Sequence, residues 1–373
     1  MGSAFGPAAS PETIRPSTPA LWKLSVRAIV DEEDALAVAD QHVRHVDPLH
    51  APTVQRLRMK LAVTRDDVEG AREAIGGRLH RTPTFTSRTL SERVAGSAYL
   101  KAELFQRTGS FKPRGVLNNL ASLSSDQRER GVIGISAGNH AQALAYCAAL
   151  EGLACRVIMW RGASEQKLEA ARGYGAEVDT SAANATEAFE RLQEVIDETG
   201  MTPVHPFDDP RTIAGQGTVG LELAEDVPHA DVVVVPVGGG GLVSGIAAAV
   251  DARVVAVEPE RSPALHAALA AGEPVPVPTD TVADGLAAPF AGAHCVAVCR
   301  GRVETVLVSE EELEDGMRFL YARAKLACEP AGAAAVAALL AGKVGLRART
   351  TVVAVVSGGN VASKTASAIL GRE

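Results

Sequence analysis

Residues 232–250 read VVVVPVGGGGLVSGIAAAV: a run of valines, four glycines and an alanine-rich segment. The run Val232–Val237 predicts a strand that is buried on both faces, and Leu242–Val250 predicts a helix. A buried strand, a tight turn and a helix are the repeating unit of parallel α/β proteins. The stretch therefore predicts an α/β fold built on mostly parallel sheet.

The same alternation continues on both sides of this stretch. Apolar or β-branched runs predict further strands at Tyr99–Ala102, Val132–Ile135, Ala154–Trp160, Ala176–Val178, Val254–Val257 and Thr351–Val356. Helical patterns predict helices at Asp66–Ile75, Ala141–Leu150 and Glu165–Tyr174, the first of them capped by Thr64. The segment Gly272–Thr279 alternates proline and valine, and we expect it to be an extended connection.

Residues 1–62 follow a different pattern. Prolines at positions 7, 11, 16 and 19 preclude regular structure near the start, and Asp31–His45 predicts one amphipathic helix. We expect this segment to be an N-terminal extension that is partly disordered or helical. Its histidines (His42, His45 and His50) lack the other residues of a zinc motif and are interpreted as part of a helix surface.

Composition argues against several classes of function. The 373 residues carry a net charge of −8, which argues against a nucleic-acid or anionic-membrane partner, and no apolar run is long enough to span a membrane. The five cysteines include no C-x-x-C pair and are expected to be small buried residues of a protein in a reducing cytoplasm. Cys295 and Cys299 have strand-like neighbours, which predicts that they share one face of a strand. No metal site is predicted.

The four glycines Gly238–Gly241 lie where the predicted strand meets the predicted helix. Backbone N–H groups at a helix N-terminus, with no side chains in the way, can bind a phosphate group. A tight turn is the alternative, but four successive glycines are costly in chain entropy for a turn alone. The segment is neither a Walker loop nor G-x-G-x-x-G, because Ile246 stands in place of the lysine, and Val243 and Ser244 in place of the third glycine. These mismatches disfavour a nucleotide-dependent dehydrogenase.

A single lysine stands in a second loop, Thr108–Gly115, which follows the predicted strand Tyr99–Ala102. Lys112 could form a Schiff base with a carbonyl cofactor, and the ring of Phe111 could lie against that cofactor. On its own, a lysine after a short strand is more often a surface charge.

Three further loops follow predicted strands or connecting segments, at the edge where α/β sheets bind ligands. Ser136–His140 could bind a carboxylate through its backbone N–H groups, with Asn139 donating to a phenolic oxygen. In the loop Ser357–Asn360, the hydroxyl of Ser357 could form a hydrogen bond with a ring nitrogen. Ala283–Gly285 is the third loop. A phosphate cradle, a carboxylate loop, a strand-end hydroxyl and a lysine together point to pyridoxal 5'-phosphate (PLP).

These motifs, together with Cys328–Gly332 (CEPAG), stand in an order and at intervals that resemble the threonine/serine dehydratase (ammonia-lyase) family of PLP enzymes, with its tryptophan-synthase-β-like fold. The resemblance runs from about Leu61 to the C-terminus. It implies a fold-type-II PLP enzyme of two three-layer α/β/α domains with mostly parallel sheets. Residues 63–130 and 209–373 would form the large PLP-binding domain, and residues 131–208 a small domain that closes over substrate.

The resemblance also implies roles for individual residues. Lys112 would bind PLP covalently and later move the α-proton of the substrate, and Phe111 would stack on the pyridine ring. Asn139 would contact the ring oxygen and Ser357 the ring nitrogen. Glu329 would lie near the ring or form an ion pair at a helix start. The remaining residues would bind the cofactor phosphate (Gly238, Gly239, Gly240, Gly241 and Leu242) or the substrate (Ser136, Ala137, Gly138, Asn139 and His140).

The implied reaction is β-elimination from a β-hydroxy amino acid, most simply L-threonine or L-serine, to a 2-oxo acid and ammonia. Racemases that resemble this chain carry a serine where Ala137 stands, so we expect racemisation to be weak. Their divalent-cation site needs an acid a few residues after Glu258, where this sequence has Ser262–Ala264, so no magnesium requirement is expected.

Several alternatives stay open. The substrate could be another β-hydroxy amino acid, such as 3-hydroxyaspartate or an aryl-serine, or the protein could be an amino-acid racemase or a catalytically silent subunit. By the same resemblance we expect a cytoplasmic homo-oligomer, a dimer or tetramer. Its partner would be a small amino-acid substrate, with neither nucleic acid nor membrane involved.

Overall fold

The computed structural model describes residues 63–372 except residues 162 and 164, and only the backbone of residue 186. The predicted extension over residues 1–62, with its helix Asp31–His45 and its three histidines, lies outside the described residues. None of the described helices is both long enough and apolar enough to cross a membrane.

Strands within the described residues form two sheets. In chain order they are β1 (Thr84–Thr86), β2 (Ser97–Ala102), β3 (Val132–Ile135), β4 (Cys155–Trp160), β5 (Glu177–Ala182), β6 (Thr202–Pro203), β7 (Val232–Pro236), β8 (Arg253–Pro259), β9 (Val303–Val308) and β10 (Thr351–Val356). The larger sheet has the order β1-β2-β10-β7-β8-β9, and every neighbouring pair is parallel except the edge strand β1 against β2. The smaller sheet has the order β5-β4-β3-β6 and is parallel throughout.

Helices connect these strands. In chain order they are α1 (Arg65–Ile75), α2 (Arg88–Val94), α3 (Lys112–Ala121), α4 (Ser125–Arg130), α5 (Asn139–Leu150), α6 (Glu165–Gly173), α7 (Ala185–Thr199), α8 (Pro210–Asp226), α9 (Gly241–Ala249), α10 (Ala264–Ala271), α11 (Ala293–Cys299), α12 (Glu310–Phe319), α13 (Pro330–Leu340) and α14 (Ser363–Leu370). Thr64 caps helix α1 as predicted, in a reciprocal capping box with Asp67, and the helix begins at Arg65, one residue before its predicted start.

The larger sheet is buried on both faces, as its continuous valine runs predict. Along β7, Val232 and Val234 pack in one core with residues of α13, while Val233 and Val235 pack in a second core with residues of α9. Successive side chains of a strand point to opposite faces, so each face receives its own layer of helices. The smaller sheet repeats this arrangement between α5 and α7. Both sheets therefore form three-layer α/β/α units.

Most of the elements predicted from the sequence are present, with ends shifted by a few residues. The strand prediction for Cys295 and Cys299 is wrong, because both residues lie in helix α11. The carboxylate of Asp208 accepts the N–H groups of Ala293 and His294, each at 2.9 Å, so a distant segment caps this helix. The division into a large domain and a small domain (131–208) stays a prediction. All strands of the smaller sheet come from residues 132–203.

Candidate active site

A cavity of about 430 Å³ lies at the carboxyl ends of strands from both sheets. Its wall contains the loop Ser136–His140 after β3, the tetraglycine turn Gly238–Gly241 with Leu242 after β7, and Ser357 after β10. Phe111 and Lys112, at the start of α3, also line it. The structure therefore brings all of the sequence-predicted site residues to one cavity.

Lys112 is the first residue of α3, and its amine is directed into the cavity wall. Its Nζ donates a hydrogen bond to the carbonyl oxygen of Pro206 at 2.8 Å and lies 5.1 Å from the centroid of the Phe111 ring. Burial lowers the pKa of Lys112 from 10.5 to about 8, although the nearby Cys295 and Glu329 oppose that shift. An amine with this pKa is partly neutral near neutral pH, as a nucleophile must be.

The tetraglycine turn leaves no space for side chains. A Cβ atom on Gly239 would lie 2.4 Å from the Phe207 ring, and one on Gly241 would lie 2.5 Å from Oε1 of Gln216. Gly240 has a φ of 101°, which glycine alone adopts readily, and α9 begins at Gly241 without a side-chain cap. The first N–H groups of α9 thus border the cavity uncapped, an arrangement that can bind phosphate.

Gln216, on α8, was not predicted from the sequence to lie at the site. Its side chain is buried and lines the cavity, and its Nε2 donates to the carbonyl oxygen of Pro206 at 3.4 Å. Its Oε1 has no hydrogen-bond partner among the described residues. An unpaired buried polar atom costs free energy, so this wall suits a polar group from outside the chain.

The residues around the cavity fit PLP. The glycine turn suits its phosphate, the amine of Lys112 suits its aldehyde, and the buried hydroxyl of Ser357 at the end of β10 suits its ring nitrogen. The unpaired Oε1 of Gln216 beside the glycine turn is a further sign that a polar ligand belongs there.

Asn139 begins helix α5, and its side chain is held from two directions. Its Nδ2 donates to Oε1 of Glu329 at 2.7 Å, and its Oδ1 accepts from Nδ2 of Asn360 at 2.8 Å. Burial and the nearby Asp284 raise the pKa of Glu329 to about 7, although Asn139 and two lysines oppose that shift. Glu329 precedes α13 without capping it. Of the two positions expected for Glu329, the structure shows the one in the cavity wall.

The loop Ser136–His140 is stabilised within itself and against Val204, the residue that follows β6. Oγ of Ser136 accepts the N–H of Gly138 at 3.1 Å. Nε2 of His140 lies 2.9 Å from the carbonyl oxygen of Val204, and its Nδ1 has no partner among the described residues. Burial lowers the pKa of His140 to about 3, so its ring is neutral and Nε2 is the donor. Ala137 presents only a methyl group to the cavity.

The sequence reasoning missed the segment His205–Pro210, which follows β6. Pro206 and Phe207 line the cavity, and Asp209 caps helix α8 through the N–H groups of Arg211 and Thr212. The signal that could have found it is Asp209-Pro210 ahead of a helical pattern, an N-cap followed by a proline in the first turn.

A buried charge network lies beside Lys112 on α3. Arg114 donates to both carboxylate oxygens of Glu103, at 2.8 and 2.9 Å, and to both of Glu222, at 2.7 and 3.0 Å. Lys101 donates to Glu222 at 2.6 Å. Burial alone would raise the pKa of Glu222, but Arg114 and Lys101 outweigh that effect and hold the pKa below its usual value. The network fixes the first turn of α3, which carries the lysine.

Comparison with known proteins identifies the class. Residues 76–358 match the family described as pyridoxal-phosphate dependent enzyme, and the chain belongs to that family. It is 41% identical over 306 residues to the L-threonine ammonia-lyase of Thermotoga maritima, a match that covers 80% of this chain and 76% of that protein. Within the PLP-dependent enzymes, the chain is therefore a member of the threonine/serine dehydratase family, as its motifs predict.

Solved structures agree with this assignment. Maize serine racemase superposes with a TM-score of 0.79 at 35% identity, over 82% of this chain and 96% of that one. A threonine deaminase from T.th. superposes with a TM-score of 0.75 at 38% identity, over 80% of this chain and 99% of that one. The predicted fold-type-II architecture and the predicted cofactor, PLP, are confirmed.

Proposed function

We propose that this protein is a PLP-dependent ammonia-lyase that converts L-threonine and L-serine to a 2-oxo acid and ammonia. The observation that carries the proposal is the position of Lys112, whose amine lies in the cavity wall, bonded to the Pro206 carbonyl at 2.8 Å, in the same cavity as the tetraglycine turn. Two similar proteins, an L-threonine ammonia-lyase and a threonine deaminase, support this reaction by their names.

Each predicted site residue has a place in this proposal. Lys112 would bind the cofactor aldehyde, with Phe111 against the ring. Asn139 would contact the ring oxygen and Ser357 the ring nitrogen. The phosphate would lie against Gly238, Gly239, Gly240, Gly241 and the N–H of Leu242, and the substrate carboxylate against the loop Ser136, Ala137, Gly138, Asn139 and His140.

The protein's own groups then move the protons. PLP, when bound, supplies an electron sink for the pair left behind when the α-proton is removed. Once the substrate amine has displaced Lys112 from the cofactor aldehyde, Nζ of Lys112 would take that proton, because the lowered pKa of the free amine leaves it partly neutral. The bond between Cβ and the hydroxyl oxygen would then break, and the hydroxyl would leave as water with the proton held by Nζ of Lys112, which restores the neutral amine. The released enamine adds water and yields the 2-oxo acid and ammonia.

Ser357 favours elimination over transamination in this proposal. It is buried at the end of β10, beside the cavity. A neutral hydroxyl does not enforce a protonated ring nitrogen as a carboxylate would. With Ser357 in this place the bound cofactor would hold the electron pair of the α-carbon less strongly, and loss of the β-hydroxyl would compete better with reprotonation.

Racemisation is the second candidate function, because maize serine racemase superposes on this chain with a TM-score of 0.79. Ala137 argues against it, since a methyl group cannot donate or accept a proton. 3-Hydroxyaspartate and an aryl-serine are the alternative substrates for the elimination.

An assay of 2-oxo acid release tests the proposal. Purified holoenzyme would be given the isomers of threonine, serine, 3-hydroxyaspartate and phenylserine, with chiral analysis of the amino acid that remains. We expect 2-oxo acid from L-threonine and L-serine, in excess of racemised substrate. A racemised amino acid as the main product would contradict the proposal, and so would release confined to 3-hydroxyaspartate or phenylserine.

Domain closure, location and assembly complete the proposal. Residues 131–208, which contribute the whole smaller sheet, would close over substrate and exclude water.

The buried free cysteines of the described chain support a reducing cytoplasm. Phe85 and Phe105 stack edge to face while 40% and 48% exposed, which supports a homo-oligomer, a dimer or tetramer. Light scattering that finds only monomer would contradict the oligomer.

A further inference from the structure

Asn360, the last residue of the loop Ser357–Asn360, links two other loops of the site. Its Nδ2 donates to the carbonyl oxygen of Thr108 at 2.7 Å and to Oδ1 of Asn139 at 2.8 Å. Thr108 lies four residues before Lys112, and Asn139 begins helix α5. One carboxamide therefore joins three loops of the site: Thr108–Gly115, Ser136–His140 and Ser357–Asn360.

Thr108, Asn360, Asn139 and Glu329 are linked by successive hydrogen bonds. The donor and the acceptor of each bond follow from the main-chain carbonyl of Thr108. The Thr108 carbonyl can only accept, so the atom of Asn360 that faces it must be the nitrogen. That nitrogen also faces Asn139, which must therefore present its oxygen. The nitrogen of Asn139 is then directed at Glu329, whose Oε1 accepts at 2.7 Å. The amide orientations are set by the network and are not interchangeable.

We propose that Asn360 is a positioning residue that sets the orientation of the Asn139 carboxamide toward the cofactor. The inference rests on the proposed place of Asn139 beside the ring oxygen. One N–H of Asn139 goes to Glu329, which leaves the second N–H as a donor for that oxygen. If the amide were reversed, its carbonyl would oppose an acceptor on the ring, and the contact would be repulsive.

Asn360 also holds the backbone ahead of the lysine. Thr108 has a φ of 61°, a left-handed conformation that is costly for a residue other than glycine. Its carbonyl is held by Asn360, and the next residue, Gly109, accepts the N–H of Gly359 at 2.9 Å. A Cβ atom on Gly109 would lie 2.6 Å from Oδ1 of Asn360, so the two loops are in direct contact.

The variant Asn360→Asp tests this inference, because it keeps the shape of the side chain but removes both donated hydrogens. We expect the dissociation constant for PLP, measured by titration of the apoprotein, to rise about tenfold, the size expected when buried polar groups lose their donor. We also expect the ratio of near-ultraviolet to visible absorbance of the bound cofactor to change, since that ratio depends on the protonation of the ring oxygen. Asn360→Ala removes the donor without adding charge and should shift both readouts in the same direction.

Asn118→Asp is the matched control. Nδ2 of Asn118 also donates to a main-chain oxygen, that of Arg211, at 2.7 Å, but Asn118 does not line the cavity. We expect its PLP dissociation constant and absorbance ratio to equal those of the unaltered protein. Circular dichroism and Tm would establish that each variant is folded.

Two results would overturn the inference: unchanged readouts in folded Asn360→Asp and Asn360→Ala, or equal changes in Asn118→Asp. Failure of the proposed function has a different signature. In that case the unaltered holoenzyme would bind PLP but release no 2-oxo acid, and the absorbance difference between the Asn360 variants and Asn118→Asp would still be observed.

Discussion

Nζ of Lys112 lies 2.8 Å from the main-chain oxygen of Pro206, so the proposed catalytic amine is held by the segment that leaves the smaller sheet. The two residues are 94 positions apart in the sequence. The same oxygen accepts a longer bond from Gln216, at 3.4 Å. One carbonyl therefore places the amine beside the wall that is suited to the cofactor, while burial keeps the pKa of that amine low.

The lowered pKa of Lys112 predicts how cofactor attachment depends on pH. Only the neutral amine attacks an aldehyde, and the pKa of Lys112 lies at about 8. We expect the rate constant for covalent attachment of PLP to the apoprotein to rise about tenfold per pH unit below that value and to level off above it. Stopped-flow absorbance would measure it. A rate constant that keeps rising up to the ordinary lysine pKa of 10.5 would show that burial does not act on this amine.

The glycine turn predicts a cofactor-binding defect. In Gly239→Ala the new methyl group would lie 2.4 Å from the Phe207 ring, so the ring or the turn must move. Overpacking of this kind costs about 1–3 kcal/mol, and we expect the Kd for PLP to rise by roughly 5- to 150-fold.

Gly70→Ala is the control for this prediction, because Gly70 lies within helix α1 and a Cβ atom there would meet nothing within 4 Å. It should leave the Kd unchanged and raise the free energy of unfolding by about 0.5–1 kcal/mol. Equal PLP affinities in the two variants would mean that the turn is not the phosphate site.

Ala137 predicts the balance between elimination and racemisation. Serine in this place supplies a hydroxyl that can move a proton, and a positioned acid or base typically contributes roughly 100- to 10,000-fold. We expect Ala137→Ser to raise the ratio of racemised substrate to 2-oxo acid by about tenfold or more. Chiral chromatography of the reaction mixture would measure it, and an unchanged ratio would refute the role assigned to this position.

The buried charge network predicts a large stability effect. Arg114→Met would leave the carboxylates of Glu103 and Glu222 buried without their guanidinium, which typically costs about 3–5 kcal/mol. Arg65→Met breaks only an exposed pair with Glu69 and should change the free energy of unfolding by less than about 1 kcal/mol. Urea unfolding would measure the free energy of unfolding of both variants. Equal losses of that free energy would contradict the stabilising role of the network.

Much of the site could be predicted from the sequence because its parts are local. Strand, glycine-rich turn and helix follow one another directly at Gly238–Gly241 and Ser136–His140, and each turn binds through its own backbone. Parallel strands bring these turns to one edge of a sheet, so the cavity follows from the topology.

The rest depends on long-range contacts that no local pattern records. Pro206, Phe207 and Gln216 reach the cavity only when the chain has returned from the smaller sheet. The alternating apolar run around Cys295 and Cys299 predicts a strand, yet the remote carboxylate of Asp208 caps this segment as a helix. The hydrogen bond between Asn360 and Asn139, which are 221 residues apart, could not be predicted from the sequence either.

Mass spectrometry of the reduced holoprotein tests the account most directly. Borohydride would fix the cofactor to whichever amine holds it, and peptide mapping would locate that amine. We expect the cofactor mass on the peptide that contains Lys112, and its loss, together with all 2-oxo acid release, in Lys112→Ala. An unmodified Lys112 in active, PLP-loaded protein would contradict the account.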